Sequence, residues 1–386
     1  MKVSDFLFHV FLIVFIVFTL FFIDYQNDAM TGAEGSSRVW LTRAYFFIDL
    51  VCCTILISCL TRKYSGIHLV CIYWIVIMPI LMYIDRVQVS DIIKTFLWPL
   101  LFETTYLCCR WNVLRGDTLK KVFYGIAIVG FSYFIVTRTG VAHQTNTIYF
   151  CFLTIPWLLY NTSKRNSLII MVVFSFFVLL SLKRSPMLAM VVMWSFYFLF
   201  GMRRNRQIFY TIAISIVVLV GLYYAYDMID ERMGGLLSER VNKEETDTGK
   251  SREAIWILTT TMIQQSSPIE LIRGHGHFGV RRDSWLEISA HNDFLEVIYD
   301  YGLIIFFLYL CLWGHVVRRA YKLFRIRSPL FLPYSASLGI FIVMSMVSHL
   351  ILYATYFNFL VMFWAMTEAL VETENKKRDF VKRFPK

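Results

Sequence analysis

His291 stands where a long polar stretch, Asp227 to Ala290, gives way to an apolar run that continues to Trp313. This border predicts an imidazole in the first turn of a helix, at the level where water and membrane meet. A helix N-terminus carries partial positive charge and unpaired N–H groups, which disfavour the imidazolium form. A neutral imidazole can accept a proton near pH 7, so His291 is a candidate general base. The alternative is an interfacial histidine that only helps to cap the helix.

Two arginines elsewhere in the chain have the chemistry to bind phosphate. Arg184 lies with Lys183 in a short turn between two apolar runs. Arg252 precedes apolar residues at helical spacing, which predict an amphipathic helix with this arginine in its first turn. A cation there is unfavourable for the helix dipole, and its planar fork binds phosphate oxygens bidentately. Arg184 and Arg252 are therefore candidate diphosphate ligands, with snorkelling to lipid headgroups as the alternative for the Lys183–Arg184 turn.

The elements that hold these residues are predicted to be membrane helices. Of the 386 residues 58% are hydrophobic and 17% are charged, against about 25% charged for a soluble domain. This composition predicts an all-α polytopic membrane protein, since a soluble protein could not bury so much apolar surface. About twelve candidate transmembrane helices are found, at residues 6–23, 44–60, 67–84, 92–109, 122–137, 148–160, 167–182, 186–202, 208–226, 292–313, 334–352 and 356–371.

The charge distribution predicts how these spans are oriented. Most of the basic residues behind the net charge of +11 fall in alternate short loops and in the C-terminal tail. The positive-inside rule places those loops and both termini in the cytoplasm. The predicted divisions are nine transmembrane helices in 1–226, a long periplasmic loop with short helices in 227–290, and three transmembrane helices with a basic tail in 291–386. The basic residues are spread over separate loops, which argues against nucleic-acid binding.

The stretch Gly274–Gly279 matches the glycine pattern of dinucleotide-binding folds, but that motif requires a preceding strand and a following helix in a βαβ unit. We interpret it as a turn whose glycines bring the backbone close to another segment. His275 and His277 within it supply only two metal ligands, and the eight cysteines all fall within or beside predicted spans. The prediction is therefore a site without a metal ion or cofactor.

Several short motifs follow one another along the chain: Arg184 with Leu188, Ser251-Arg252 before Trp256, Gly274-x-Gly276, Ala290-His291-Asn292-x-x-Leu295 and Gly302-Leu303. Their order and predicted sidedness resemble the O-antigen ligase and O-antigen polymerase superfamily of bacterial membrane glycosyltransferases. The resemblance is sharpest between Arg252 and Phe307, and the layout of spans around one large external loop extends it across the chain.

The resemblance implies transfer of a glycan from an undecaprenyl-diphosphate carrier to a sugar hydroxyl at the periplasmic face of the inner membrane. In that family arginines are thought to hold the diphosphate and a histidine to act on the acceptor, roles that fall here on Arg184, Arg252 and His291. Two arginines can stabilise the leaving diphosphate without a metal. Direct displacement at the anomeric carbon would invert its configuration.

Three acidic residues follow the histidine along one face of the predicted helix, because Asp293, Glu296 and Asp300 are spaced by three and four positions. An acid at membrane depth normally faces a cavity or a cationic partner, since lipid exposure costs a few kcal/mol. We expect them to pair with the arginines or to bind acceptor hydroxyls, with interfacial solvation as the alternative. The candidates for acceptor binding or support are Asn292, Glu296, Asp300, Arg281 and Arg282.

Three classes of function are open at this point. A polymerase would join repeat units of an O-antigen, capsule or exopolysaccharide, with a chain-length regulator and a flippase as partners. A ligase would move the finished polymer to a lipid A core or a protein. A transporter should show related halves with interrupted helices at matching positions, and no such repeat is evident. We favour the polymerase, because such enzymes vary most in sequence and this chain has few exact family residues.

Overall fold

Every regular element that the computed structural model describes is a helix, and no strand occurs among the described residues, as the all-α prediction requires. The predicted spans at 44–60 and 208–226, and most of the loop from 227 to 251, lie wholly or largely outside those residues. The predicted total of twelve spans and the three predicted divisions of the chain therefore stay predictions. The described residues are 9–10, 12–17, 19–20, 66–84, 89–138, 147–181, 183–201, 224, 226, 228, 231 and 252–383.

The helices of the described residues fall into three groups along the chain. The first group is α1 (Ile67–Ile84), α2 (Val89–Arg110), α3 (Gly116–Arg138), α4 (Thr147–Leu153), α5 (Ile155–Leu159), α6 (Lys164–Leu180) and α7 (Arg184–Gly201). The second group is α8 (Arg252–Gln265), α9 (Pro268–Arg273) and α10 (Gly279–Asp283). These helices lie in the segment for which a loop with short helices was predicted. The third is α11 (Asp293–Arg325), α12 (Phe331–Val347) and α13 (Ala354–Arg383).

Two of the described helices are long and apolar enough to cross a membrane. They are the Gly116–Val136 part of α3 and the whole of α11. Ile67–Leu81, Thr147–Leu159 and Phe331–Val347 are apolar but shorter than the roughly 20 residues that a membrane crossing takes. By length and composition alone, therefore, the described residues support part of the predicted set of spans.

The span predicted at 148–160 has an interruption at Thr154, the single residue between α4 and α5. Pro156 lacks an N–H group and so cannot donate to the carbonyl of residue 152. The Thr154 side chain, at the break, donates to the Cys151 carbonyl at 2.5 Å. Hydropathy did not predict this interruption, since it measures the polarity of side chains and not the loss of a backbone N–H donor at a proline.

The described helices pack around an aromatic core. α13 lies along α2, α7 lies along α12, and α11 packs against α1. Trp157 of α5 and Trp364 of α13 are buried, and their indole N–H groups donate to the Phe359 carbonyl at 3.1 Å and the Ser337 hydroxyl at 3.0 Å. A buried indole N–H without a partner is costly, so these bonds help to fix α13 among its neighbours.

The glycine-rich turn packs backbone against backbone on a kink in α11. Gly302 interrupts α11 with φ of 77°, and a Cβ there would lie 2.3 Å from the Ile272 carbonyl oxygen. A Cβ at Gly274, whose φ is 83°, would lie 2.4 Å from the Asp300 carbonyl oxygen. Glycine is required at both positions, because no other residue combines this backbone with so close an approach. The interpretation of the glycine pattern as a close-packing turn is confirmed.

The turn also satisfies carbonyls beside the kink. The amide of His275 donates to the Tyr299 carbonyl at 2.9 Å, and the amide of Gly276 donates to the Asp300 carbonyl at 2.7 Å. A kink at a residue with positive φ leaves helix carbonyls in need of donors. The N-terminal segment of α11, which follows His291, is thus held by the turn.

Candidate functional site

His291 lies immediately before the N-cap of α11. The side-chain oxygen of the cap residue, Asn292, accepts hydrogen bonds from the amides of Phe294 at 3.0 Å and Leu295 at 3.2 Å. His291 itself has φ of 54°, outside the helical range. Its predicted place in the first turn is therefore wrong by two positions, because Asn292 takes the capping role and the helix starts at Asp293.

The His291 ring is half-buried and belongs to a stack of three rings. It stacks on His349 with a centroid distance of 4.6 Å and an interplanar angle of 21°. His349 lies in the loop between α12 and α13, and its ring also stacks on Tyr353 at 4.5 Å and 26°. We call His291, His349 and Tyr353 the histidine stack. It joins the start of α11 to a loop that is distant in the sequence.

Burial keeps His291 neutral at pH 7. Loss of hydration lowers its pKa to about 4, and the positive charges of Arg252 and Lys183 add to that effect. Burial likewise holds the pKa of His349 well below its ordinary value, with further lowering by His291, Arg252, Arg281 and Lys183. Burial and the nearby cations therefore favour the neutral state that the sequence predicted for His291.

Arg252 reaches this region because α8 packs on the start of α11. Ile255 of α8 is buried with Ala290 and Tyr299, as the predicted amphipathic helix requires. The Trp256 indole N–H donates to the Ala290 carbonyl at 2.9 Å. Ala290 directly precedes His291, so this bond ties the helix that begins at Arg252 to the backbone of the candidate base.

The Lys183–Arg184 turn reaches the same region from another side. Arg184 is half-buried and begins α7, and the hydroxyls of Ser185 and Tyr149 are hydrogen-bonded at 2.9 Å. Tyr149 is also within electrostatic range of Arg252 and hydrogen-bonds Ser348, the neighbour of His349. The charge of Lys183 acts on both histidines.

The three acids after His291 are buried and accept hydrogen bonds from loop amides. Asp293 accepts from Leu350 at 2.8 Å and from the Tyr309 hydroxyl at 3.2 Å. Glu296 accepts from the amide of His291 itself at 3.2 Å, which holds that residue in its left-handed conformation. These bonds tie two separate loops to α11.

Asp300 holds a third segment in the same way, since it accepts a hydrogen bond from the amide of Val280 at 2.9 Å. The contacts of Glu296 and Asp300 fit a supporting role. Acceptor binding by either residue stays a prediction.

The remaining predicted residues lie around this centre. Asn292 donates to the Met346 carbonyl at 3.1 Å, in addition to capping α11. Arg282 is exposed and bonds Asp283 at 2.8 Å. Arg281 is exposed, and its charge acts on His349. Among the described residues, no three His, Cys, Asp or Glu side chains are grouped so as to hold a metal ion.

The sequence argument missed His349 and did not choose Lys183. A signal for His349 existed, because it is a histidine near the end of the predicted span at 334–352, as His291 is near the start of another. The structure ends that helix at Val347, which leaves His349 in the loop that follows. The approach of this loop to His291 is a tertiary contact that no local pattern records.

Comparison with known proteins adds one match. A family model described as O-antigen ligase matches residues 169–310, which contain Arg184, Arg252 and His291 but not His349. No match was found among curated proteins. The members of this family are membrane proteins of bacteria. Residues 169–310 of the chain are thus similar to the O-antigen ligase and polymerase superfamily.

Proposed function

We propose that the protein is a metal-independent inverting glycosyltransferase that polymerises undecaprenyl-diphosphate-linked repeat units of an O-antigen, capsule or exopolysaccharide. The observation that carries the proposal is the convergence of positive charges from Lys183, Arg252 and Arg281 on two neutral imidazoles. Such an arrangement provides an anion site beside a proton acceptor, which is what transfer from a diphosphate carrier to a hydroxyl requires.

The diphosphate occupies the cationic side of this site. As the bond between the anomeric carbon and the phosphate oxygen breaks, negative charge develops on the leaving undecaprenyl diphosphate. Arg252 and Arg184 stabilise that charge, because a guanidinium is always charged and matches two phosphate oxygens at once. Since the leaving group is already a diphosphate and its charge is met by arginines, the step can proceed without a metal ion.

The acceptor hydroxyl lies on the histidine side. His291 takes its proton as the hydroxyl oxygen bonds to the anomeric carbon from the face opposite the diphosphate, so the configuration there inverts. A pKa of about 4 makes His291 a weak base in the free protein. Donor binding brings phosphate charge next to Arg252 and Lys183, offsets their effect on the imidazole and raises its pKa. The base is thus strengthened when the donor is in place.

A ligase that transfers the finished polymer to a lipid A core or a protein is the second candidate, because the matching family model carries the description O-antigen ligase. A transporter, the third class that the sequence left open, gains no support from this site. If the protein is a polymerase, a chain-length regulator and a flippase are its proposed partners.

The reaction is tested with the purified full chain and donor lipid extracted from cells that lack this protein. A polymerase lengthens the lipid-linked glycan without any other acceptor. A ligase forms product only after lipid A core or an acceptor protein is added. If wild-type protein transfers no glycan under either condition, both enzyme proposals are wrong.

The proposed location is the bacterial inner membrane, with residues 227–290 periplasmic and both termini cytoplasmic. Single cysteines test it in intact cells: Lys250→Cys in the loop should react with an impermeant reagent, and Lys322→Cys near the end of α11 should not. Labelling of Lys322→Cys from outside would overturn the topology, because it would place the C-terminal end of α11 outside.

A further inference from the structure

His349 is the central ring of the histidine stack. Its ring stacks on those of His291 and Tyr353, with centroid distances of 4.6 and 4.5 Å. Near-parallel rings at these distances are in favourable stacking contact. The His291 ring therefore packs on the ring of His349, and the contact with Tyr353 helps to fix the plane of His349 in turn.

We infer that His349 is a positioning residue for His291: it holds the imidazole plane in the orientation in which the ring accepts the acceptor proton, and it excludes water from that face. The inference rests on the proposed glycosyl transfer. His349 acts through His291 and touches neither the diphosphate nor the acceptor in this role.

The loop that carries His349 is fixed to the residues around His291. The amide of Leu350 donates to Asp293 at 2.8 Å, and Asn292 donates to the Met346 carbonyl at 3.1 Å. On the other side of His349, Ser348 hydrogen-bonds Tyr149. Residues on both sides of His349 are thus anchored, two of them directly to the two residues that follow His291. A catalytic ring needs this kind of support, because a small misplacement is costly in rate.

The environment of the histidine stack indicates how the His349 ring affects the basicity of His291. Lys183 acts on it from the turn before α7, Arg252 from α8 and Arg281 from α10, and Glu296 of α11 accepts a hydrogen bond from the His291 amide. Loss of hydration is the first cause of the low pKa of His291. Removing the neighbouring ring admits water, which favours imidazolium and raises the pKa of His291 towards its ordinary value.

The test compares His349→Ala with His349→Phe in the lipid-linked transfer assay. His349→Ala should lower kcat by on the order of 100-fold, since the ring is misplaced by a fraction of its width. The donor KM should change little, and the acid limb of kcat/KM should move to higher pH. His349→Phe restores a flat ring, so it should retain most of the activity and the wild-type acid limb.

His275→Ala is the matched control, because His275 also stacks on a tyrosine, Tyr299, at 4.0 Å and 9°, but outside the histidine stack. It should leave the acid limb in place. If His349→Ala does not fold, as judged by its melting temperature, His349→Asn removes the ring while keeping a polar side chain and should show the same losses.

Unchanged kcat and acid limb in a folded His349→Ala or His349→Asn protein would overturn the inference and leave the proposed function intact. A folded His349→Phe protein as inactive as His349→Ala would also overturn it, because the imidazole rather than the stacked plane would then be required. Inactive wild-type protein would remove the proposed function, and this inference with it.

Discussion

The two ends of α11 arrange their charges differently. Near its C-terminal end, Glu368 of α13 accepts hydrogen bonds from Arg319 and lies 3.1 Å from the His315 imidazole, so carboxylate and cation meet inside the fold. At its N-terminal end, Asp293 and Glu296 accept hydrogen bonds from backbone amides instead. The cations of that end act on a pair of imidazoles.

The arrangement near the C-terminal end of α11 stabilises the fold, whereas the arrangement at its N-terminal end can bind a ligand. A buried ion pair satisfies its own charges, and removing one partner leaves the other uncompensated. Positive charges gathered around neutral rings in a partly dehydrated site attract an anion and stabilise negative charge that develops there. Substitutions of the cations and imidazoles at the N-terminal end of α11 should therefore change activity more than stability, and those of the ion pair near its C-terminal end should do the reverse.

The largest effect is expected at His291. His291→Ala should lower the transfer rate by about 10²–10⁴-fold, the usual contribution of a general base. His291→Gln should fail as well, because an amide can hydrogen-bond the hydroxyl but cannot take its proton. Product length and initial rate with lipid-linked donor are the measurements, and melting temperature is the control for folding. Substantial polymer from His291→Gln would reduce the residue to an orienting role.

The second-largest loss of transfer rate is expected when either candidate diphosphate arginine is replaced. Arg252→Ala and Arg184→Ala should each lower the rate by about 10²–10³-fold, the loss expected when one group that stabilises developing charge is removed. Arg→Lys should be nearly as harmful, because lysine has no bidentate fork. Arg318→Ala, an exposed arginine of α11, is the matched control. Polymer of normal length and amount from Arg252→Ala at normal protein level would contradict the proposed diphosphate site.

Near the other end of α11 the expected loss is in stability. Arg319→Gln should lower the free energy of unfolding by about 3 kcal/mol, because it leaves Glu368 buried without its cation. The rate per folded molecule should stay close to that of the wild type. Thermal unfolding in detergent measures the first effect, and the combined Arg319→Gln and Glu368→Gln protein should recover part of the loss. If Arg319→Gln lowered activity without lowering stability, the proposed difference between the two ends of α11 would be wrong.

The smallest effect is a shift in pH dependence. The free protein should lose kcat/KM only as pH falls well below 6.5, towards the His291 pKa of about 4. Lys183→Gln removes one nearby cation and should move that limb to higher pH. The acid limb of kcat, which reports the donor-bound protein, should already lie higher. Identical limbs in both proteins would show that Lys183 does not act on the base.

The same pKa has a consequence for stability. The unfolded chain binds a proton to His291 below about pH 6.5, whereas the folded protein does so only near pH 4. The unfolded state therefore binds more protons in that interval, and the residue lowers stability as pH falls through it. His291→Gln should remove this part of the acid sensitivity, which unfolding at a series of pH values can measure.

Local patterns predicted several elements well. Residues 67–84 were predicted as one span and form α1 with the same bounds. The agreement is expected, because polar or charged residues flank this apolar run on both sides and mark its ends. The helix after Arg252 and the close-packing role of the glycine turn were also predicted from residue type and spacing. Within the span predicted at 148–160, the structure adds an interruption at Thr154 and Pro156, between two short helices.

The sequence by itself determined the helical class, the order of Arg184, Arg252, the glycine turn and His291, and through that order the resemblance to the O-antigen ligase and polymerase superfamily. Each of these depends on residue types within short windows. Tertiary structure decided that His349 stacks on His291 and that Lys183 acts on both. It also decided that the imidazole is buried, which lowers its pKa and favours its neutral form. These properties depend on which distant segments share a dehydrated space, and no spacing along the chain specifies that.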